Sequence, residues 1–187
     1  MIDRDENSGD DQDAVAAIVA GCQAGDRDAQ RRLYELFHQQ VYRLMARMVG
    51  LADAADLTQQ VFLQVFRKIG QFSGDGHFGG WLRRVAMNEA YQHFRRNKRR
   101  EHVALAHEPT DQMKPAPERV EQREAIEQAL ARLEPDLRSL FLLREMEGQS
   151  YREIAEILGI PEGTVGSRLN RARRELQEHL IALGYEP

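Results

Sequence analysis

Apolar residues recur at helical spacing from about Ala14 to Leu183 while strand-like alternation is nearly absent, so the pattern predicts an all-α chain. Ala14, Val15, Ile18 and Val19 predict a short amphipathic helix that ends near Gly21 and Gly25. Asp26 is placed to cap the next helix, whose stripe of Leu33, Leu36, Phe37, Val41, Leu44, Met45 and Met48 runs to Gly50. A third helix is expected from Asp53 through Leu57, Val61, Val65 and Ile69 to Gly70, with Asp53 and Asp56 in its first turn, where the helix dipole favours acids. Phe72 to Gly80 holds four glycines and predicts a loop. From Trp81 a fourth helix runs through Val85 and Tyr91 into Arg95, Arg96, Lys98, Arg99 and Arg100, with Trp81 and Val85 expected in the core.

Glu101 to Pro117 contains Pro109, Pro115 and Pro117 and few bulky apolar groups, which predicts an extended, flexible linker. The expected layout is an acidic disordered tail over 1–13, a helical domain over 14–100, the linker over 101–117 and a second helical domain over 118–183. Helices are predicted in that domain at 118–133, 136–147, 150–158 and 161–182, broken at Pro135, Gly148 and Gly159. With 187 residues the chain has room for two such small cores.

The most specific segment is SYREIAEILGIPEGTVGSRLNRARREL, Ser150 to Leu176. Ser150 and Glu153 have the spacing of a capping box. Ile154, Ala155 and Leu158 form one apolar side, and Ala155 is small enough for another helix to cross closely. Gly159-Ile160-Pro161 makes a tight turn between two helices at a steep angle, with Pro161 in the first turn of the second. There Val165, Leu169, Ala172 and Leu176 share one stripe, which puts Thr164, Ser167, Arg168, Asn170, Arg171 and Arg174 on the other side. Short polar groups near the N-terminus with guanidinium groups beyond them are what a recognition helix needs in a major groove. A solvated basic face on an ordinary helical hairpin is the plainer alternative.

Charge sharpens this picture. The net charge of −4 argues against nucleic acid only until its distribution is read. Residues 83–100 hold seven bases and one acid, whereas 1–14 hold six acids and one base and 101–136 hold nine acids and four bases. The basic block between acidic flanks is read as an anion-binding face. Cys22 is the only cysteine, so neither an intrachain disulfide nor a thiolate-rich zinc site is expected. No apolar run approaches the ~18 residues of a membrane helix, and the acidic start is unlike a secretion signal, so the chain is expected to stay in the cytoplasm. His38, His77, His93, His102, His107 and His179 show no ligand spacing, no nucleophile motif occurs, and no GK[ST] follows the glycines. No catalytic residue, metal or cofactor is therefore expected.

Together these residues resemble the extracytoplasmic-function sigma factors, small two-domain members of the bacterial sigma superfamily. Besides the helix-turn-helix, the resemblance rests on AADLTQQVFLQVFRKI (Ala54 to Ile69), FGGWLRRVAMNEAYQHFRRNKRR (Phe78 to Arg100) and ALARLEPDLRSLFLLREMEGQSYREIA (Ala129 to Ala155), and spans about residues 14–182. It implies a protein that binds core RNA polymerase and directs promoter recognition, melting and transcription initiation, with promoter DNA as second partner and an anti-sigma factor as a candidate third. It implies polymerase docking at Asp56, Gln59, Gln60 and Leu63, residues that on their own chemistry fit a solvated helix start equally well. It implies capture of the melted minus-ten strand by Phe72, His77, Phe78, Arg83, Arg84, Asn88, Arg95 and Arg96, and reading of the minus-35 duplex by the helix-turn-helix. The family usually has Glu where this chain has Gln60, and many relatives have Lys or Arg where it has Gly166. The competing reading is a stand-alone helix-turn-helix regulator with residues 14–100 as a sensor or dimerisation domain. A basic, aromatic-containing helix at the end of that half is not the pocket or receiver pattern a sensor needs.

Overall fold

Each helix has one apolar stripe to bury, and the architecture follows from how those stripes meet. The structure is a computed structural model that describes residues 8–74, 77–103 and 118–185, among which there are helices and no strand. Helix α1 (Ser8–Gln23) buries Val19 and Cys22 against α2 (Arg27–Val49). It begins inside the stretch expected as a disordered tail.

Asp26 caps α2, its Oδ1 accepting from the Asp28 N–H at 2.8 Å. Leu33, Val41, Leu44, Met45 and Met48 are buried as the periodicity required, but Leu36 lies at the edge of the stripe and is 53 % exposed. Helix α3 (Leu51–Lys68) continues as a 3-10 turn, Ile69–Gln71. It starts two residues before Asp53, so Asp53 stays in the first turn and Asp56 falls beyond it. Ala54, Leu57, Val61 and Val65 are buried in the same core as Met45 and Met48, where α3 packs on α2.

Helix α4 (Phe78–Val103) starts before Trp81 and takes Gly79 and Gly80 out of the expected loop. First-turn amides have no intrahelical partner, so the usual weakness of glycine inside a helix matters less there. A Cβ on Gly79 would stand 3.0 Å from Nη1 of Arg83, so the guanidinium would have to shift by a few tenths of an ångström to admit one. Leu82, Val85, Ala86, Met87 and Ala90 are the buried face of α4, with Trp81 half-buried beside them. The helix runs on to Val103, three residues into the expected linker, whose remainder lies outside the described residues.

The C-terminal half comprises α5 (Glu118–Arg132), α6 (Pro135–Phe141), a π turn (Leu142–Met146), α7 (Tyr151–Leu158) and α8 (Glu162–Ala182). Pro135 opens α6, where its missing N–H costs little. The helix expected at 136–147 is split, because its last residues form the π turn, and Glu147 N–H donates to Leu142 O at 3.1 Å. The capping box forms in full: Ser150 N–H donates to Glu153 Oε2 at 2.7 Å and Glu153 N–H donates to Ser150 Oγ at 3.2 Å. Gly159 ends α7 with φ at 66°, and Pro161 is the N-cap of α8 rather than part of its first turn. Val165, Leu169, Ala172 and Leu176 are all buried.

The two halves pack on one another, and their buried residues form one continuous cluster. α2 meets α5 and α6, and α4 meets α6 and α7. Arg138 of α6 is 7 % exposed and donates to the main-chain oxygens of Met48, Ala131 and Leu133, while its guanidinium carbon lies 5.7 Å from the centre of the Phe94 ring. Tyr91 Oη and Ser139 Oγ are 2.7 Å apart, and burial pushes the tyrosine pKa up to about 12.

Two outcomes follow for stability, both readable by urea unfolding. Ser150→Ala should lower stability by ~0.5–2 kcal/mol through the lost cap. The Ser150 main-chain N–H, and then its hydroxyl, hold the Glu153 carboxyl below its ordinary range. The contribution of that charge is therefore present above the ordinary Glu range and fades as pH falls through the lowered value, so the difference between wild type and Glu153→Gln should shrink in acid. Gly166 faces α7, and a Cβ there would make ordinary contact at 3.4 Å with Tyr151 Cε2. Gly166→Ala should stabilise by up to ~1 kcal/mol, and a loss would show that α7 cannot accept the methyl.

Candidate nucleic-acid and polymerase interface

Residues three and four apart on a helix share a face, and on α3 this brings Asp56, Gln59, Gln60 and Leu63 together. All four are exposed, Leu63 to 68 %. Gln60 Oε1 accepts from Arg96 Nη2 at 3.2 Å, so the amide at this position is tied to the basic end of α4. Asp53 Oδ2 approaches His93 Nε2 of α4 to 3.3 Å and braces the start of the same face.

The second surface is built around an aromatic cluster. Phe78 lies 5.3 Å from Phe37, 5.6 Å from Phe72 and 5.6 Å from Trp81, ring centre to ring centre. At 5 % exposure Phe78 is a packing residue and cannot meet a ligand, contrary to its expected role. Phe72 is half-buried and His77 exposed. Gln23 fixes this corner: its Nε2 donates to Ile69 O and to Phe72 O, both at 2.9 Å. Nothing in the sequence singles Gln23 out, because an amide at the end of a helix ordinarily faces water.

Beyond the aromatic corner, the first turns of α4 present Arg83, Arg84 and Asn88. Arg84 and Asn88 are exposed and Arg83 is half-buried. A cleft of about 860 Å³ opens in front of the two arginines, with Phe72, His77 and Trp81 on one wall and Gln149, Glu153 and Glu156 of the C-terminal half on the other. Arg95 and Arg96 lie exposed further along α4.

The third surface is the outer face of α8. Ser167, Arg168, Asn170, Arg171 and Arg174 are exposed and Thr164 is half-buried. The hydroxyls of Thr164 and Ser167 donate to Pro161 O at 2.7 Å and Thr164 O at 3.0 Å, so near the N-terminus they bond to the backbone of their own helix. Arg171 Nε pairs with Glu175 Oε1 at 2.6 Å. Arg173, passed over in the sequence, pairs with Glu145 of the π turn at 2.6 Å, and its hydrogen bond to that carboxylate raises the guanidinium pKa. Gly166 lies beside α7, where a Cβ would stand 3.4 Å from Tyr151 Cε2.

Among the described residues no group of His, Cys, Asp and Glu side chains is placed to hold a metal ion, and no helix is long and apolar enough to cross a membrane. The Sigma-70 region 2 family model matches residues 33–100 and the Sigma-70 region 4 model matches residues 123–176. The RNA polymerase sigma-H factor of Pseudomonas aeruginosa is 33% identical over 92% of this chain and 96% of its own length. The extracytoplasmic-function sigma-E factor of Escherichia coli is 33% identical over 89% of this chain and 94% of its own. Among solved structures, the sigma factor RpoE of Bartonella quintana, in complex with the anti-sigma factor NepR, superposes with a TM-score of 0.70 at 25% identity, covering 81% of this chain and 96% of that one. CnrH, in complex with the cytosolic domain of CnrY, superposes with a TM-score of 0.62 at 26% identity, covering 89% and 96%. An all-helical pair of packed units, a helix-turn-helix with an arginine-bearing outer face, and relatives aligned over nearly their whole length place this chain in the extracytoplasmic-function sigma factor family, as an RNA polymerase sigma factor that directs promoter-specific transcription.

Proposed function

We propose that the three surfaces divide the work of initiation. The exposed face of Asp56, Gln59, Gln60 and Leu63 docks on core polymerase, Arg83, Arg84 and Asn88 with His77 and Phe72 capture the melted minus-ten strand, and α8 reads the minus-35 duplex. Arg95 and Arg96 extend the positive path for the strand backbone. The observation that carries this reading is the outer face of α8, where Ser167, Arg168, Asn170, Arg171 and Arg174 stand exposed on a helix whose opposite side is buried. Phe78, being buried, supports the strand surface from beneath by holding Phe72 and Trp81.

The docking face is supported by the 68 % exposure of Leu63, which leaves an apolar group next to polar ones, the composition a protein partner desolvates well. The protein works by binding and not by catalysis, in the cytoplasm with the polymerase. The RpoE chain that superposes on this one is in complex with an anti-sigma factor, and CnrH with the cytosolic domain of CnrY. That supports an anti-sigma partner here as well.

Asp56→Arg with Gln59→Ala should abolish retention of core polymerase in a pull-down, and undiminished retention would move the docking face elsewhere. Arg171→Ala should weaken holoenzyme binding to a duplex upstream element by ~1–3 kcal/mol, roughly 5-fold to 150-fold, while leaving binding to a pre-opened minus-ten template nearly intact. Asn88→Ala should show the opposite preference. Equal losses on both templates from either variant would refute the division.

A further inference from the structure

A side-chain amide carries two N–H donors, and Gln23 gives both to one turn far along the chain. Its Nε2 lies 2.9 Å from Ile69 O and 2.9 Å from Phe72 O, the two ends of the segment that leads from α3 into the strand surface. The partners fix the orientation of the amide, because the opposite one would set Oε1 against two carbonyl oxygens. That segment is weakly held by itself. Ile69–Gln71 is a single 3-10 turn, closed by Phe72 N–H donating to Ile69 O at 3.1 Å, and such hydrogen bonds have poorer geometry than those of an α-helix. From its end Phe72 sets its ring edge-on to Phe78 and 5.7 Å from Trp81, and the chain turns at Gly74 with φ at 84°.

Gln23 thus ties both ends of the turn to α1, and the direction in which Phe72 leaves α3 depends on where α1 lies. The place of α1 is set within narrow limits. Val19 and Cys22 are buried, and a Cβ on Gly21 would stand 2.7 Å from the Cβ of Ala29, a residue of α2 that is 2 % exposed. The two helices come this close because residue 21 has no side chain. Gln23 itself is exposed, so its two hydrogen bonds act on the geometry of the corner and its replacement removes nothing from the core.

We propose that Gln23 is a positioning residue for capture of the melted strand: its amide, carried on α1, locks the turn that presents Phe72 and so holds ready the ring on which an unpaired nucleobase stacks. The proposal rests on the assignment of Phe72 to the melted strand.

The test uses the full chain with Gln23→Met, which keeps an unbranched side chain of the same length and has no N–H. Trp81 is the only tryptophan and lies beside Phe72, so its emission in the free chain reads the corner directly. Gln23→Met should make Trp81 more accessible to acrylamide quenching. It should weaken holoenzyme binding to a pre-opened minus-ten template by about fivefold or more, with binding to a duplex upstream element changed by less than about twofold. Gln23→Lys, whose ammonium again offers donors to both oxygens, should recover most of the loss at a salt concentration that screens its added charge. In a Phe72→Ala background, Gln23→Met should cost nothing further. Equal losses on the two templates would mean a general loosening of the fold and overturn the positioning role. Altered quenching with unchanged strand affinity overturns the link to the strand. Phe72→Ala alone separates this from the reading beneath it. A several-fold loss there with none in Gln23→Met overturns the proposal and keeps Phe72 as a strand ligand, whereas unchanged affinity in Phe72→Ala removes that assignment and the proposal with it.

Discussion

A buried cation without a carboxylate is costly, and the packing of the two halves depends on how Arg138 avoids that cost. Its guanidinium donates to Met48 O, at the C-terminal end of α2, and to Ala131 O and Leu133 O, at and just past the end of α5. The last carbonyls of a helix have no intrahelical donor and carry the negative end of its dipole, so two helix termini together stand in for a counter-ion. Burial lowers the arginine pKa, and its Nε has no hydrogen-bond partner, so the arrangement is compensated but not complete. Because one terminus belongs to each half, Arg138 can be satisfied this way only while the halves are in contact. Separating them returns Met48 O and part of the guanidinium to water, which solvates both well.

The contact is consequently a balance of groups that are comfortable in either state. Tyr91 and Ser139, Gln40 and Glu147, and Arg83 and Glu147 are polar pairs with good geometry, and each partner would be hydrated if exposed. Such an interface gives specificity of register more than large affinity. It also explains how a chain of net charge −4 can serve a polyanion. Part of the acid excess sits against the basic start of α4, where Glu147 pairs with Arg83.

Most of the architecture was legible in the sequence because it follows from local rules. The capping box at Ser150 and Glu153, the helix break at Gly159 and the stripe from Val165 to Leu176 depend on neighbours within a few positions, and all form as read. The misread elements depended on distant partners or on a weak local signal. Gly79 and Gly80 looked like loop because their value lies in the first-turn position and in the space Gly79 leaves for Arg83. Phe78 looked available because its burial is decided by Phe37, Phe72 and Trp81 from other segments. The π turn left no periodic trace, and Gln23, Gln40 and Arg138 were unremarkable polar residues whose partners lie far along the chain. Of the candidate surfaces, the outer face of α8 was readable from spacing, that of α3 came only from the family resemblance, and the engagement of Arg83 by Glu147 belongs to the tertiary structure.

Gly159 ends α7 with φ at 66°, a left-handed backbone that side chains larger than a hydrogen rarely adopt, and Pro161 caps the next helix two residues later. The direction of α8 is therefore set by a residue with no side chain. A substitution there removes no group from the outer face of α8 but turns Ser167, Arg168, Asn170, Arg171 and Arg174 together.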